Sequence, residues 1–109
     1  MDVKYWPPQD GLVILSFIQD QPLDAQRKII NAIRRLREHG YNLMNSSYLT
    51  KLKGYPLYEL RVKFGRILYR IILAIKKGIA WLLVPFTKKE GEETPVRHIE
   101  TALKRSKLI

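Results

Sequence analysis

The chain has no cysteine, and this absence excludes disulfides and thiolate metal sites. It has only two histidines, His39 and His98, which are far apart in the sequence. No apolar run approaches the roughly 20 residues that a membrane-spanning helix needs, and the start lacks the basic and apolar regions of a signal peptide. We therefore expect a cytoplasmic protein with no membrane segment, no metal and no cofactor.

Acidic residues are also scarce. Ten Asp and Glu stand against twenty Lys and Arg, which gives a formal charge of +10 over 109 residues. Such a charge on a small protein attracts a polyanion or an acidic protein. The hydrophobic fraction of 46% is ordinary for a folded chain. The sequence contains no linker that would separate domains and no internal repeat. We therefore predict one domain over residues 1–109 with a negatively charged partner.

The N-terminal half contains one clear helix and one ambiguous segment. Residues 3–6 are typical of a short strand that ends at two consecutive prolines. Residues 12–18 are almost continuously apolar and β-branched, as in a buried strand, although Asp10 as a cap and residues 20–22 as a stop fit a helix equally well. Residues 24–40 have apolar positions at helical spacing and a basic opposite face, which fits either solvent exposure or RNA contact.

The C-terminal half is typical of a sheet followed by a helix. Three strands are predicted over residues 57–63, 67–75 and 79–86, with turns at Gly65 and at Lys77-Gly78. They are simplest to arrange as antiparallel neighbours, and the apolar central strands indicate that helices cover one face. Thr94 and Pro95 then predict the start of a terminal helix, with Thr94 as its cap.

The first predicted strand sends its charged residues to one face. Glu59, Arg61 and Lys63 alternate with Tyr58 and Leu60. A two-residue turn at residues 64–65 would place Glu59 opposite Arg70, with Arg61 diagonal to Arg70. A three-residue turn at residues 76–78 would bring Arg66 opposite Lys88, so that four cations would share one surface.

Clustered cations of this kind suit RNA cleavage. When a 2′-hydroxyl attacks the neighbouring phosphate, negative charge accumulates, and fixed guanidinium and ammonium groups stabilise it. The alternative for Glu59 is a cross-strand ion pair with Arg70, and His98 is interpreted as a surface histidine in preference to a proton shuttle. The predicted catalytic residues are Arg61, Arg70, Lys88, Lys89 and Glu59, and the predicted RNA-binding residues are Arg66, Lys63, Phe86 and Tyr58.

Several of these motifs occur together in an order that resembles a known family. Leu52-Lys53-Gly54, Tyr58-Glu59-Leu60-Arg61, Tyr69-Arg70, Phe86-Thr87-Lys88-Lys89 and Thr94-Pro95, followed by a basic terminal segment, resemble the phage-derived HigB-like branch of the RelE/ParE toxins. The resemblance spans roughly residues 3–105. It implies an α+β fold in which two N-terminal helices and a C-terminal helix pack on one side of a small antiparallel sheet, and it favours a helix over residues 12–18.

The resemblance also implies a function. Its toxins belong to type II toxin-antitoxin pairs, and many of them cut mRNA on the ribosome without a metal. The matching cations are Arg61, Arg70, Lys88 and Lys89. Related toxins often supply a general acid or base from a tyrosine or histidine near the C-terminus, and residues 105–109 contain no tyrosine, so Lys88, Lys89 and Glu59 become the candidates for proton transfer. We expect an endoribonuclease whose partners are an antitoxin, the ribosome and mRNA. The alternatives are a ParE-like module that inhibits DNA gyrase without nuclease activity, and an inert nucleic-acid-binding adaptor.

Overall fold

Two long adjacent strands organise the fold, and both are apolar on their two faces. A computed structural model describes residues 1–109. In chain order the elements are β1 (Asp2–Tyr5), α1 (Leu12–Gln19), α2 (Leu23–His39), a 3₁₀ turn (Gly40–Leu43), β2 (Leu49–Lys51), β3 (Tyr58–Phe64), β4 (Ile67–Lys76), β5 (Ile79–Lys89) and α3 (Val96–Ser106).

The five strands form one sheet in the order β1-β5-β4-β3-β2, in which only the β1–β5 pair is parallel. The predicted α+β class and the three antiparallel neighbours are therefore confirmed. The ambiguous segment is the helix α1. Its N-cap is Gly11 and not the predicted Asp10, although the Asp10 carboxylate accepts a hydrogen bond from the backbone N–H of Leu12 at 3.0 Å. Strand β2 has only three residues, and the sequence did not predict it.

Helices lie on both faces of the sheet, so the prediction that they cover one face is wrong. The physical reason is that β4 and β5 are apolar on both sides, and each apolar face must be shielded from water. Helices α1 and α2 bury the larger core, which includes Ile29, Leu36, Leu60, Ile71 and Leu82. Helix α3 buries a smaller core that includes Ile72, Leu83, Val84, Ile99 and Ala102. No helix is both long and apolar enough to cross a membrane.

A β-bulge in β5 fixes the position of α3. Ile72 pairs with Val84 but Leu73 pairs with Leu82, so Leu83 is an extra residue in the ladder. The carbonyl of Leu83 accepts a hydrogen bond from Arg105 Nη1 of α3 at 2.6 Å. Burial lowers the pKa of Arg105, whose guanidinium also lies 5.5 Å from the Trp6 ring centroid. The bulge therefore supplies an acceptor that anchors the last turn of the helix.

Candidate functional site

The predicted cations lie in two rows across β3, β4 and β5, on the face that carries α3. One row consists of Arg61, Arg70 and Phe86, which are directly opposite one another in the register. The next row, nearer the β3–β4 turn, consists of Lys63, Leu68 and Lys88. Directly opposite residues share a face, with Cβ atoms about 5 Å apart. Arg61 and Arg70 therefore share one face, as predicted, but they project side by side and not diagonally.

The predicted registers were wrong, although the faces were right. The β3–β4 turn contains Gly65 and Arg66, because Phe64 already pairs with Ile67. Gly65 has a φ of 61°, which suits the first central position of a two-residue hairpin turn. The β4–β5 turn likewise has two residues and not three. Between β3 and β4 the turn lies one residue later than predicted, which moves each partner by two positions. Between β4 and β5 the shorter turn moves each partner by one position and the extra residue Leu83 of the bulge by one more, so Phe86 and Lys88 stay on their predicted face.

Arg70 is buried and held in a fixed orientation. Its side chain is 4% exposed, and its Nε lies 3.0 Å from Glu59 Oε1 in an ion pair whose N–H is not aligned for a hydrogen bond. Nη1 donates to the carbonyls of Tyr69 at 3.2 Å and Val62 at 3.4 Å. Burial and then the nearby charge of Arg61 lower the pKa of Arg70, and Glu59 opposes both effects. A guanidinium stays protonated in proteins, so Arg70 is a preorganised positive charge.

Glu59 positions Arg70. Glu59 is 3% exposed, and its Oε2 accepts a hydrogen bond from the Thr94 hydroxyl at 2.8 Å. The ion pair predicted as the alternative for Glu59 is thus present, diagonally across the strands. The prediction that Thr94 caps α3 is wrong, because the helix begins at Val96 after Pro95 and the hydroxyl is directed to Glu59 instead. The two oxygens of Glu59 therefore tie the start of α3 to the arginine.

Two cations of the site have no side-chain partner in the protein. Arg61 and Lys88 are half-buried, and neither side chain forms an ion pair or hydrogen bond, although the backbone N–H of Arg61 donates to the Tyr48 carbonyl at 2.7 Å. Lys63, in contrast, is exposed and paired with Glu90. Arg61 and Lys88 are therefore the positive charges most available to an anionic ligand.

Four other predicted residues either lie outside this cluster or are buried within it. Lys89 is exposed and points to the opposite face, because it follows Lys88 in the strand. Arg66 is exposed in the turn and does not face Lys88. Tyr58 lies on the α1–α2 face, with its ring centroid 6.4 Å from that of Tyr41. Phe86 shares the arginine row but is only 5% exposed, so it offers no open face for a base.

His98 covers Phe86 and thereby joins the site. The two rings stack with centroids 4.6 Å apart and planes 25° apart. Burial, and next the charge of Arg97, lower the pKa of His98, so the imidazole is predominantly neutral at pH 7. The preference for a surface histidine did not foresee this contact. A usable signal was the spacing of His98 and Ala102, which places the imidazole beside the buried face of α3.

An open groove of about 790 Å³ leads from the arginines across the outer edge of β3, and we call it the β3 groove. Its far end is formed by residues of α2 and of the loop before β2. These residues are remote in sequence from the strand motifs, and sequence reasoning missed them as a group. The groove is lined by Lys28, Asn31, Ser47, Tyr48, Arg61, Val62, Lys63, Leu68, Arg70, Glu90 and Gly91.

The arrangement offers fixed positive charge, a neutral imidazole and an open approach. No three His, Asp or Glu side chains converge closely enough to hold a metal ion. A search of curated proteins found no match to the chain. The profile of the family described as phage derived protein Gp49-like (DUF891) matches residues 16–107, a span that contains Arg61, Arg70 and His98. The chain therefore belongs to the phage-derived Gp49-like family.

Proposed function

We propose that the protein is the toxin of a type II toxin-antitoxin pair and acts as a ribosome-dependent, metal-independent mRNA endoribonuclease of the HigB-like kind. Membership of the Gp49-like family is consistent with a toxin-like protein. The single observation that carries the proposal is the side-by-side projection of Arg61 and Arg70 at an open groove, with Lys88 on the same sheet face and His98 stacked on Phe86 in the arginine row. The mRNA in a translating ribosome is the substrate.

In the proposed reaction the RNA supplies its own nucleophile. Neutral His98 accepts the proton of the 2′-hydroxyl, whose oxygen attacks the adjacent phosphorus. The bond to the 5′-oxygen breaks, which leaves a 2′,3′-cyclic phosphate and a 5′-hydroxyl. Arg61 and Arg70 stabilise the additional negative charge on the phosphate oxygens. Of the proton-transfer candidates Lys88, Lys89 and Glu59, only Lys88 is accessible on this face. We propose that Lys88 donates the proton to the leaving oxygen.

The proposed base makes a testable prediction of pH dependence. Because burial and Arg97 lower the pKa of His98, the cleavage rate should be flat near pH 7 and fall as protonation sets in, with a midpoint below 6.5. His98→Gln should slow cleavage about 100-fold and remove this acid limb. Arg97→Gln should move the midpoint upward. The measurement is the single-turnover rate on ribosome-bound mRNA across the pH range.

His39→Gln is the matched control for His98→Gln. His39 is exposed at the end of α2, with its Nε2 3.8 Å from Glu38, and lies outside the groove. Its replacement should leave both the rate and the acid limb unchanged. An acid limb that survives in His98→Gln would remove the histidine from the mechanism.

The partner proposed for regulation is an acidic antitoxin encoded beside the protein. The N-terminal helices offer it exposed apolar residues, with Leu12 at 54%, Leu23 at 68% and Ile30 at 54% exposure, next to the exposed cations Arg27 and Arg34. A covering acidic chain would bury the former and neutralise the latter. We expect coexpression of the neighbouring gene to restore growth and its product to copurify. Failure of both would contradict this pairing.

The ParE-like alternative differs from the proposal in the nucleic acid that is damaged. An endoribonuclease leaves mRNA ends at defined positions in translating ribosomes, and these ends can be mapped by primer extension. A gyrase inhibitor instead leaves cleaved DNA complexes and intact mRNA. Cleaved DNA without mRNA ends would replace the proposed function with that alternative.

A further inference from the structure

The β3 groove is longer than one phosphate requires. From Arg61 and Arg70 it continues over the edge of β3 to Lys28 and Asn31 on α2, and Tyr48 forms part of its wall. None of these last three residues belongs to the proposed cleavage chemistry. Their convergence is produced by the packing of α2 and of the loop before β2 around the same strand.

The floor of this extension is an uncovered strand edge. Strand β2 pairs with β3 only from Tyr58 to Leu60, and the last backbone contact on that side is from Arg61 N–H to the Tyr48 carbonyl. Beyond it, Lys28 reaches across the edge, with its Nζ 3.4 Å from the Lys63 carbonyl and 5.5 Å from the Phe64 ring centroid. Beyond Arg61 the edge therefore has no strand partner, and the Lys28 ammonium group donates a hydrogen bond to its Lys63 carbonyl.

Tyr48 supplies a flat aromatic wall at the same place. Its ring is half-buried, and the Arg35 guanidinium lies 5.0 Å from the ring centroid. Such support restricts the ring, which suits stacking with a nucleobase. Lys28 has no carboxylate partner, so its charge is available to a phosphate.

We infer that this arm of the β3 groove is a binding subsite for the nucleotide adjoining the two that the cleaved linkage joins, in which Lys28 and Asn31 bind its phosphate and Tyr48 stacks with its base. The inference rests on the proposed function, because it assigns a path to the same RNA strand. Single-stranded RNA fits the site because successive charges and one aromatic surface are placed along an open track. The subsite extends recognition beyond the scissile phosphate.

The test is a binding measurement that requires no cleavage. The probes are a fluorescent dinucleotide and a fluorescent pentanucleotide in which every 2′-oxygen is methylated, so that no 2′-hydroxyl can attack. We expect the wild-type protein to bind the pentanucleotide at least about fivefold more tightly than the dinucleotide, and Lys28→Ala to abolish this gain while leaving dinucleotide affinity unchanged. In Lys28→Ala the slope of log affinity for the pentanucleotide against log salt concentration should also fall in magnitude by about 0.7, the contribution of one phosphate contact to a single strand.

Arg27→Ala is the matched control, because Arg27 is the adjacent exposed cation on α2 but does not line the groove. Equal pentanucleotide affinity of Lys28→Ala and Arg27→Ala would overturn the subsite, and so would the absence of any length-dependent gain in the wild type. These outcomes are separate from the proposed function. If the binding test excludes the subsite but mRNA ends are mapped, the proposed nuclease function still stands. If the subsite is confirmed but no mRNA is cleaved, the protein binds RNA without cutting it.

Discussion

Arg61→Ala is expected to reduce cleavage of ribosome-bound mRNA by about 100- to 1000-fold, the usual effect of removing one preorganised donor to a developing anion. The residue suits this test because its side chain has no partner in the protein, so its loss leaves no buried charge unpaired. The free energy of unfolding should change by no more than about 0.5 kcal/mol. The measurements are mapped mRNA ends, the single-turnover rate and the unfolding midpoint.

Arg27→Ala again provides the control for charge alone. Both variants lower the net charge by the same amount, but the exposed Arg27 pairs with Asp24 at 3.3 Å and lies outside the groove. It should retain cleavage and growth arrest. If Arg61→Ala arrested growth as strongly as Arg27→Ala did, the arginine row would not be the reaction site.

Glu59→Ala is expected to be the most destabilising of these changes. It leaves the guanidinium of Arg70 buried without its carboxylate, a loss that costs about 3–5 kcal/mol in the free energy of unfolding. In a chain of this length the melting temperature should fall by about 10 °C or more. Urea unfolding followed by circular dichroism gives the free energy directly.

Two companion variants separate burial from simple loss of charge. Glu38→Ala removes an exposed carboxylate that pairs with Arg34 at 2.9 Å, and it should cost no more than about 0.5 kcal/mol. Combining Glu59→Leu with Arg70→Met replaces the buried pair by apolar groups and should recover most of the stability, yet without cleavage. A Glu59→Ala variant as stable as Glu38→Ala would contradict the assignment of Glu59 as the support of Arg70.

Much of the fold could be predicted from strand alternation and turn residues, because both depend only on residues close together in the sequence. Period-two alternation in β3 placed Glu59, Arg61 and Lys63 on one face, and the structure confirms it. Glycine at Gly65 and Gly78 marked both hairpins. Register was less certain because a turn can move by one residue without changing any face. The helix α1 could not be distinguished from a buried strand by periodicity, because its residues are apolar almost all round.

What the sequence did not predict depends on contacts between distant segments. The contact of His98 with Phe86 exists because α3 packs on the second face of the sheet, a face that was expected to be free of helices. Thr94 was assigned to the helix start because Thr is a common cap, whereas the buried Glu59 offered its hydroxyl a better acceptor. Lys28 and Tyr48 have no shared motif, and only tertiary packing brings them to one groove.

The hydrogen bond from Arg105 to the bulged carbonyl of Leu83 links the far end of α3 to the candidate site at its near end. His98 and Arg105 are two turns apart on the same rigid rod, roughly 10 Å along its axis. Lys76 secures that far end as well, through the carbonyls of Ser106 and Ile109. These contacts at the far end of the helix therefore fix the orientation of the His98 imidazole. Shortening the C-terminal segment would misalign the proposed reaction without removing any residue that takes part in it.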